Sequence, residues 1–520
     1  MNDRRNTLRN TAFSSIGIYA EYFLGMVASI VIARHLGPGH YGVYSMFIWF
    51  AAIGIVVTNS GITTGVIKFI SEFRGNGNEA MIRPLLTYMR RVQAWHMVLV
   101  VGLAGAGLAL AGHRWANTPD LVEFLLLAAA VAMRAPYMFN IAVAKGFEAF
   151  DATARVSMVA APLNLALVVG AVLLKASMFW FLVVYATSSA IFLGISWWQA
   201  RRLVATVPPA APMASELNQR IRRHLRIVSV TIVVGFLITS DVEIVFLNTF
   251  ATSADAGYFK VAYQLATGMM LLVPGVFAAV LLPMMSKALS RGRDQAAQKF
   301  VAVTTYLVML SAPVVIFGVC FAAPIIQLLY GSRYGAAAPV FAVAILASAI
   351  ATSNQGATSL LVSADRQQTI LVMVVVFGVI KLTLDALLIH QFALRGAMVA
   401  ILTEAVSSTT AYVLIGLRVS GARLDGRRLA AVALASVGAA LLSLPVLLLG
   451  MPVLLTVLLG GVVVLGSYGV LTLLLPCWSP GDIAQLQELH ARFARNWPQP
   501  LHRLLLRAGE RASARAERPA

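Results

Sequence analysis

The sequence predicts an all-α polytopic membrane protein of about fourteen transmembrane helices, and three observations predict it. Apolar stretches long enough to cross a bilayer core of about 30 Å fill the chain from Thr11 to Pro476. Hydrophobic residues make up 59% of the 520 and charged residues only 12%, with a mean hydropathy of +0.81, leaving no room for a large soluble domain. The basic residues are segregated: loops on one side of the predicted spans hold 32 Lys and Arg, and turns on the other side hold 5. Because an unpaired amide in lipid costs several kcal/mol, the spans must be helices.

Taken in order, the spans are expected near 11–33, 41–66, 93–112, 121–144, 156–174, 176–198, 225–250, 258–284, 301–323, 336–363, 369–392, 394–417, 429–450 and 452–476. An even number puts both termini on one side, and the charge asymmetry makes that side the cytoplasm of an inner (plasma) membrane protein. The net charge of +19 is thereby a topology signal and an attraction to anionic headgroups rather than a sign of nucleic acid. Arg4-Arg5 superficially resembles a twin-arginine export signal. The long apolar segment behind it has no small-residue cleavage site, so a retained first helix is expected. Cys320 and Cys477 lie too far apart in the topology to pair, and they make no metal site.

Tyr41, Arg74 and Gly75 recur as Tyr258, Arg291 and Gly292, all at an offset of 217 residues. That offset carries span one onto span seven, so the repeat is six helices and the two copies point the same way. The expected organisation is a six-helix lobe over 1–200, a cytoplasmic linker over 201–226 and a second six-helix lobe over 227–418, the lobes related by a pseudo-twofold axis. An appended helix pair over 419–476 and a basic tail over 477–520 follow. Pro208, Pro209 and Pro212 among arginines mark the linker as flexible. Ile483, Leu486, Leu489 and Phe493 follow a 3–4 spacing beside Arg492 and Arg495, which predicts a short amphipathic helix on the inner leaflet.

Ionisable residues inside spans are functional candidates, because each costs at least about 2.5–3.5 kcal/mol at the centre. They are Glu21, Arg134, Asp241, Glu243, Lys260, Lys381, Asp385 and Glu404. Arg134, Lys381 and Lys260 are the cations available to an anionic substrate. Lys260 is placed at the outer mouth of span eight, where snorkelling to water explains it equally well. Lys381 and Asp385, one helical turn apart, also fit a self-satisfied ion pair. Glu21, Glu404 and Asp241 are the candidates for ion coupling. No Lys or Arg lies within four residues of Glu21 or Glu404. Glu21 shares a face with Ser14, Gly17, Gly25 and Ala28, which is either cavity-lining or a close helix contact. Asp241 and Glu243 are about 200° apart on a helix and are not expected to serve one cavity. Pro136, Pro162, Pro274 and Pro313 interrupt amide ladders within spans.

Three stretches carry a resemblance. Ala33-Arg34-His35-Leu36-Gly37-Pro38-Gly39-His40-Tyr41-Gly42 resembles the A-R-x-L-G…Y-G turn after the first helix of bacterial polysaccharide exporters. Leu328-Leu329-Tyr330-Gly331-Ser332-Arg333-Tyr334 with Ala337-Ala338-Pro339 is similar to their turn before span ten. Leu382-Thr383-Leu384-Asp385 followed by Leu394-Arg395-Gly396-Ala397-Met398-Val399-Ala400 is similar to their N-L-x-L-N/D…G-x-x-G-A-A-x-A stretch, with Asp385 where Asn is frequent. The resemblance spans about residues 10–415 and is to the oligosaccharidyl-lipid flippases of the multidrug/oligosaccharidyl-lipid/polysaccharide exporter superfamily.

It implies a flippase for an undecaprenyl-pyrophosphate-linked oligosaccharide, the repeat unit of an O-antigen, exopolysaccharide or similar polymer. The implied mechanism is alternating access without a cofactor. Membrane lipids and a polysaccharide polymerase or export machinery are the implied partners. A multidrug/cation antiporter of the same superfamily is the alternative, favoured by the intramembrane carboxylates and opposed by the cations. An enzyme is not expected: every outer turn is short, and the chain has no H-E-x-x-H and no P-loop.

Overall fold

Gly37-Pro38 is where the first long apolar run has to break, since the residue before a proline is pushed out of the helical region. The computed structural model describes residues 2–111, 117–209, 215–239, 241–272 and 275–493, and α1 (Asn2–Asn59) is interrupted at Gly37, with φ 76°. A left-handed φ of this kind costs a glycine nothing. The chain then continues through α2 (Ile62–Gly75), α3 (Ile82–Ala111), α4 (Leu121–Gly146), α5 (Phe150–Leu173), α6 (Met178–Ala205), α7 (Ser215–Thr239), α8 (Glu243–Phe250) and α9 (Ser253–Leu272). There follow α10 (Gly275–Ser290), α11 (Arg293–Cys320), α12 (Ala322–Tyr330), α13 (Ala337–Thr352), α14 (Asn354–Ser363) and α15 (Gln367–Ser420). The last three are α16 (Gly426–Ser443), α17 (Val453–Leu474) and α18 (Pro480–Phe493). No strand occurs among the described residues, as the apolar pattern predicts.

Ten helices among the described residues are long and apolar enough to cross a bilayer, or eleven if the bent pair formed by α7 and α8 is one span. The fourteen separate spans expected are not reproduced one for one, because the chain does not end its helices at every expected turn. Residues 19–75 and 367–420 are counted as one stretch each, although each is more than twice the length that one crossing needs. The first contains the Gly37 break, and α15 is broken at Ala393, with φ 49°. Pro136, Pro162 and Pro313 lie inside α4, α5 and α11, while Pro274 lies outside the described residues.

The chain divides into two compact units. The first comprises residues 1–261 with 381–397, so it runs past the linker expected at 201–226. In it α1 packs on α4 and α5, α4 on α6, and α2 on α3, α4 and α7. One of its cores joins Ile62, Val66, Phe69 and Phe73 of α2 to Leu85 and Met89 of α3 and Phe139 of α4. The i, i+4, i+7, i+11 spacing of the α2 residues is one helical stripe. The second unit comprises residues 262–380 with 398–520. Its core joins Leu281 and Met285 of α10, Phe300 and Leu307 of α11, and Leu360 and Leu361 of α14.

Within the first unit, the turn after Gly37 meets the start of α9 at backbone distance. A Cβ on Gly42 would stand 1.8 Å from the Ser253 carbonyl oxygen, and one on Gly257 would stand 2.1 Å from that of Pro38. Only glycine at both positions permits the approach. The part of α1 after Gly37 and the start of α9, which carry the repeat-related Tyr41 and Tyr258, are therefore in contact.

The predicted amphipathic helix after Pro480 is present as α18. It is tied to the second unit through Asp482. That carboxylate accepts from Arg428 Nη2 at 3.1 Å, from the Ser479 amide at 2.8 Å and from the Tyr306 hydroxyl. Arg495 and the rest of the basic tail lie outside the described residues. Cys320 and Cys477 are both free thiols.

Candidate functional site

The site is built on α4. Asp120 and Glu123 start this helix with a reciprocal cap: the Asp120 carboxylate accepts the Glu123 amide at 2.7 Å, and the Glu123 carboxylate accepts the Asp120 amide at 3.1 Å. From that start, Arg134, Tyr137, Met138, Ile141 and Lys145 recur at three to four residues along one face. They line a cavity of about 380 Å³ in the first unit, which α1 closes with Glu21, α2 with Thr63 and α5 with Ser157.

Arg134 lies 3.8 Å from the Glu21 carboxylate through Nη2, with the Arg134 side chain 24% and the Glu21 side chain 32% exposed. Its guanidinium carbon stands 4.4 Å from the centre of the Phe192 ring and 5.4 Å from that of Tyr137. Rings hold the flat faces of the guanidinium by cation–π attraction, and the separation from Glu21 is too long for a hydrogen bond. None of the N–H donors of Arg134 has a hydrogen-bond acceptor among the described residues. Glu21 has a closer partner in the Ser157 hydroxyl, which donates at 2.6 Å. The cavity thus offers a cation held in place without its donors being used, which is what recognition of a phosphate oxygen needs.

The structure brings the other candidates together in different groups. Asp241 and Lys260 pair at 2.5 Å, so each neutralises the other. Lys381 lies 2.8 Å from Glu243 and 3.3 Å from Asp385, and both carboxylates are fully buried. The i, i+4 pair expected between Lys381 and Asp385 is present, with Glu243 as a third member. Asp241 and Glu243 serve different partners and both are engaged, although the helical spacing expected between them does not apply, because Asp241 lies before the start of α8. Glu404 belongs to the second unit, is half-buried and has interactions of its own.

No Lys or Arg lies within four residues of Glu21 in the sequence, but the structure brings Arg134, 113 positions along the chain on α4, to 3.8 Å from it. A window of four residues sees only the same helix. Of the face Glu21 was expected to share, Gly25 has open space around it, and the side chains at 14 and 17 are outside the described part. Sequence reasoning missed Lys145, Ser157 and Phe192. Lys145 was legible in principle, because eleven residues from Arg134 is three helical turns on one face.

A family model described as polysaccharide biosynthesis protein matches residues 31–339. The chain belongs to this family. No curated protein matches it. Among solved structures, the lipid II flippase MurJ in an inward closed conformation superposes with a TM-score of 0.68 at 12% identity, over 88% of this chain and 98% of that one. An inward-facing multidrug resistance MATE family transporter of the MOP superfamily gives 0.65 at 13%, over 78% and 98%. The Vibrio cholerae MATE transporter VcmN gives 0.56 at 14%, over 80% and 96%. At such identities the likeness is one of fold. This polysaccharide biosynthesis protein is a multi-pass membrane protein, and the solved structures that share its fold are those of a flippase and of transporters.

Proposed function

We propose that the chain is a lipid-linked oligosaccharide flippase of the inner membrane, moving an undecaprenyl-pyrophosphate-linked repeat unit from the cytoplasmic to the outer leaflet by alternating access. The observation that carries this reading is Arg134: an intramembrane guanidinium open to a cavity, with its hydrogen-bond donors unspent. A diphosphate head group supplies the acceptors. Lys145, on the same face, is the entry contact. Lys381, enclosed by two carboxylates, is assigned to packing, and Lys260 to its pair with Asp241.

Glu21 gives the cycle a means of coupling. In the empty cavity it is the counter-charge of Arg134; when phosphate takes Arg134, the carboxylate is left to a proton or a sodium ion. The membrane potential adds a second drive, since outward movement of a doubly charged anion gains about 4.6 kcal/mol per 100 mV, twice the single-charge value. A cation exporter is the second reading. It is favoured by Glu21, Tyr137 and Phe192 in one neighbourhood and opposed by the guanidinium between them.

The test is transport of undecaprenyl-diphosphate oligosaccharide into vesicles carrying Arg134→Ala or Arg134→Lys. Loss of charge-assisted hydrogen bonds worth about 1.5–3 kcal/mol lowers transport by about ten- to a hundredfold in Arg134→Ala, with abundance near wild type. Arg134→Lys retains part of the activity. Full transport by Arg134→Ala, or export of a lipophilic cation that Glu21→Gln abolishes, would refute the flippase assignment.

A further inference from the structure

Several arginines near the expected cytoplasmic ends of these helices find a carboxylate: Arg74 pairs with Glu79, Arg155 with Asp151, Arg220 with Glu72 and Arg428 with Asp482. One group does not. Arg83 and Arg90 on α3 and Arg201 on α6 line a groove of about 470 Å³ together with Trp197, and no acidic residue borders it. Arg83 is committed to the end of α6, donating to the Val207 carbonyl at 3.0 Å. Arg90 has only a long contact to the Asn140 side chain, 3.4 Å, and lies over the Phe139 ring. Arg201 lies over Trp197, with its ring centre 5.3 Å away.

Trp197 lines the groove and is 46% exposed, and outside the groove Trp198 on α6 and Trp95 on α3 are 48% and 69% exposed. Trp197 and Trp198 of α6 each precede an arginine by one turn, Trp197 before Arg201 and Trp198 before Arg202. Amphipathic rings at headgroup level with guanidiniums just beyond them are the pattern of a bilayer surface. A free anion would use the arginines and leave Trp197 idle.

We infer that the groove between the end of α6 and the start of α3 binds an anionic phospholipid. Its phosphate lies between Arg90 and Arg201, and one acyl chain lies along Trp197. The site is separate from the Arg134 cavity and does not depend on what the chain transports.

Native mass spectrometry of the purified full chain, offered phosphatidylglycerol and phosphatidylcholine with identical acyl chains, tests this. Wild type retains phosphatidylglycerol in preference. Arg201→Gln lowers that preference about fivefold, the factor for one cation near a membrane surface, and Arg90→Gln with Arg201→Gln lowers it further. Phosphatidylcholine retention and thermal stability stay as in wild type. Arg201 has no described partner but Trp197, so the single variant carries the test if the double variant folds poorly. Trp197→Ala weakens retention of both lipids. An unchanged preference in Arg201→Gln, or displacement of phosphatidylglycerol by millimolar inorganic phosphate, would overturn the lipid site and leave the Arg134 reading untouched.

Discussion

Replacing Lys381 with Met separates a packing role from a substrate role. The ammonium stands 2.8 Å from Glu243 and 3.3 Å from Asp385, with 7% of the lysine side chain and none of either carboxylate exposed. At an effective dielectric of 20 these distances correspond to gross attractions of about 6 and 5 kcal/mol. Most of that repays desolvation, and the measurable cost of removing one partner from a buried ionic group is about 3–5 kcal/mol. Lys381→Met is therefore expected to lower melting temperature and abundance in membranes, read by size-exclusion chromatography after heating in detergent. Adding Glu243→Gln and Asp385→Asn removes the orphaned charges and restores most of the loss, because neutral amides in one site satisfy one another. The triple variant is also expected to transport. A Lys381→Met protein as stable as wild type yet unable to transport would refute this reasoning and return Lys381 to the substrate path.

Three further outcomes are expected. Cysteines placed at Ser177 and Thr206, which flank α6, label from opposite sides of the membrane in intact cells, Ser177 from outside; the reverse would overturn the cytoplasmic assignment of both termini. Cys320→Ser provides the background, since Cys477 is buried with its thiol pushed up to about 11 by that burial and does not react at neutral pH. Burial pushes the Asp482 carboxyl up, but hydrogen bonds from Ser479 and Tyr306 and the charge of Arg428 outweigh it and hold it below the ordinary carboxylate range. Its contribution is thus present above the unfolded value of about 3.9 and lost as pH falls through the lower folded value. The protection factors of the α18 amides, which divide out the pH dependence of intrinsic exchange, should be flat from pH 7 to 5, fall only in stronger acid, and fall at pH 7 in Asp482→Asn. Gly42→Val places a side chain into the Ser253 carbonyl and should reduce abundance more than Gly39→Val, where the surrounding space is open.

The membrane-protein class and helical pattern were legible because a bilayer imposes one length and one composition on every crossing, whatever its neighbours. The turn glycines were legible too, as motif positions, although the reason for Gly42 is a backbone 211 residues away. The charges were not. Sequence distance grouped Lys381 with Asp385 correctly, since they share a helix turn, and missed Glu243, which arrives from a segment 138 positions earlier. It isolated Glu21 for the same reason, its partner being on α4. Lipid supplies the physical rule that sequence distance omits: a charge in a span must be answered by another group, so candidates have to be read as pairs. Applied here, that rule spends Asp241, Glu243, Lys260, Lys381 and Asp385 on one another. Glu21, Arg134 and Glu404 remain, and Glu21 and Arg134, 3.8 Å apart beside a cavity, are among the described residues of the first unit the one such pair whose contact is loose enough for a ligand to break.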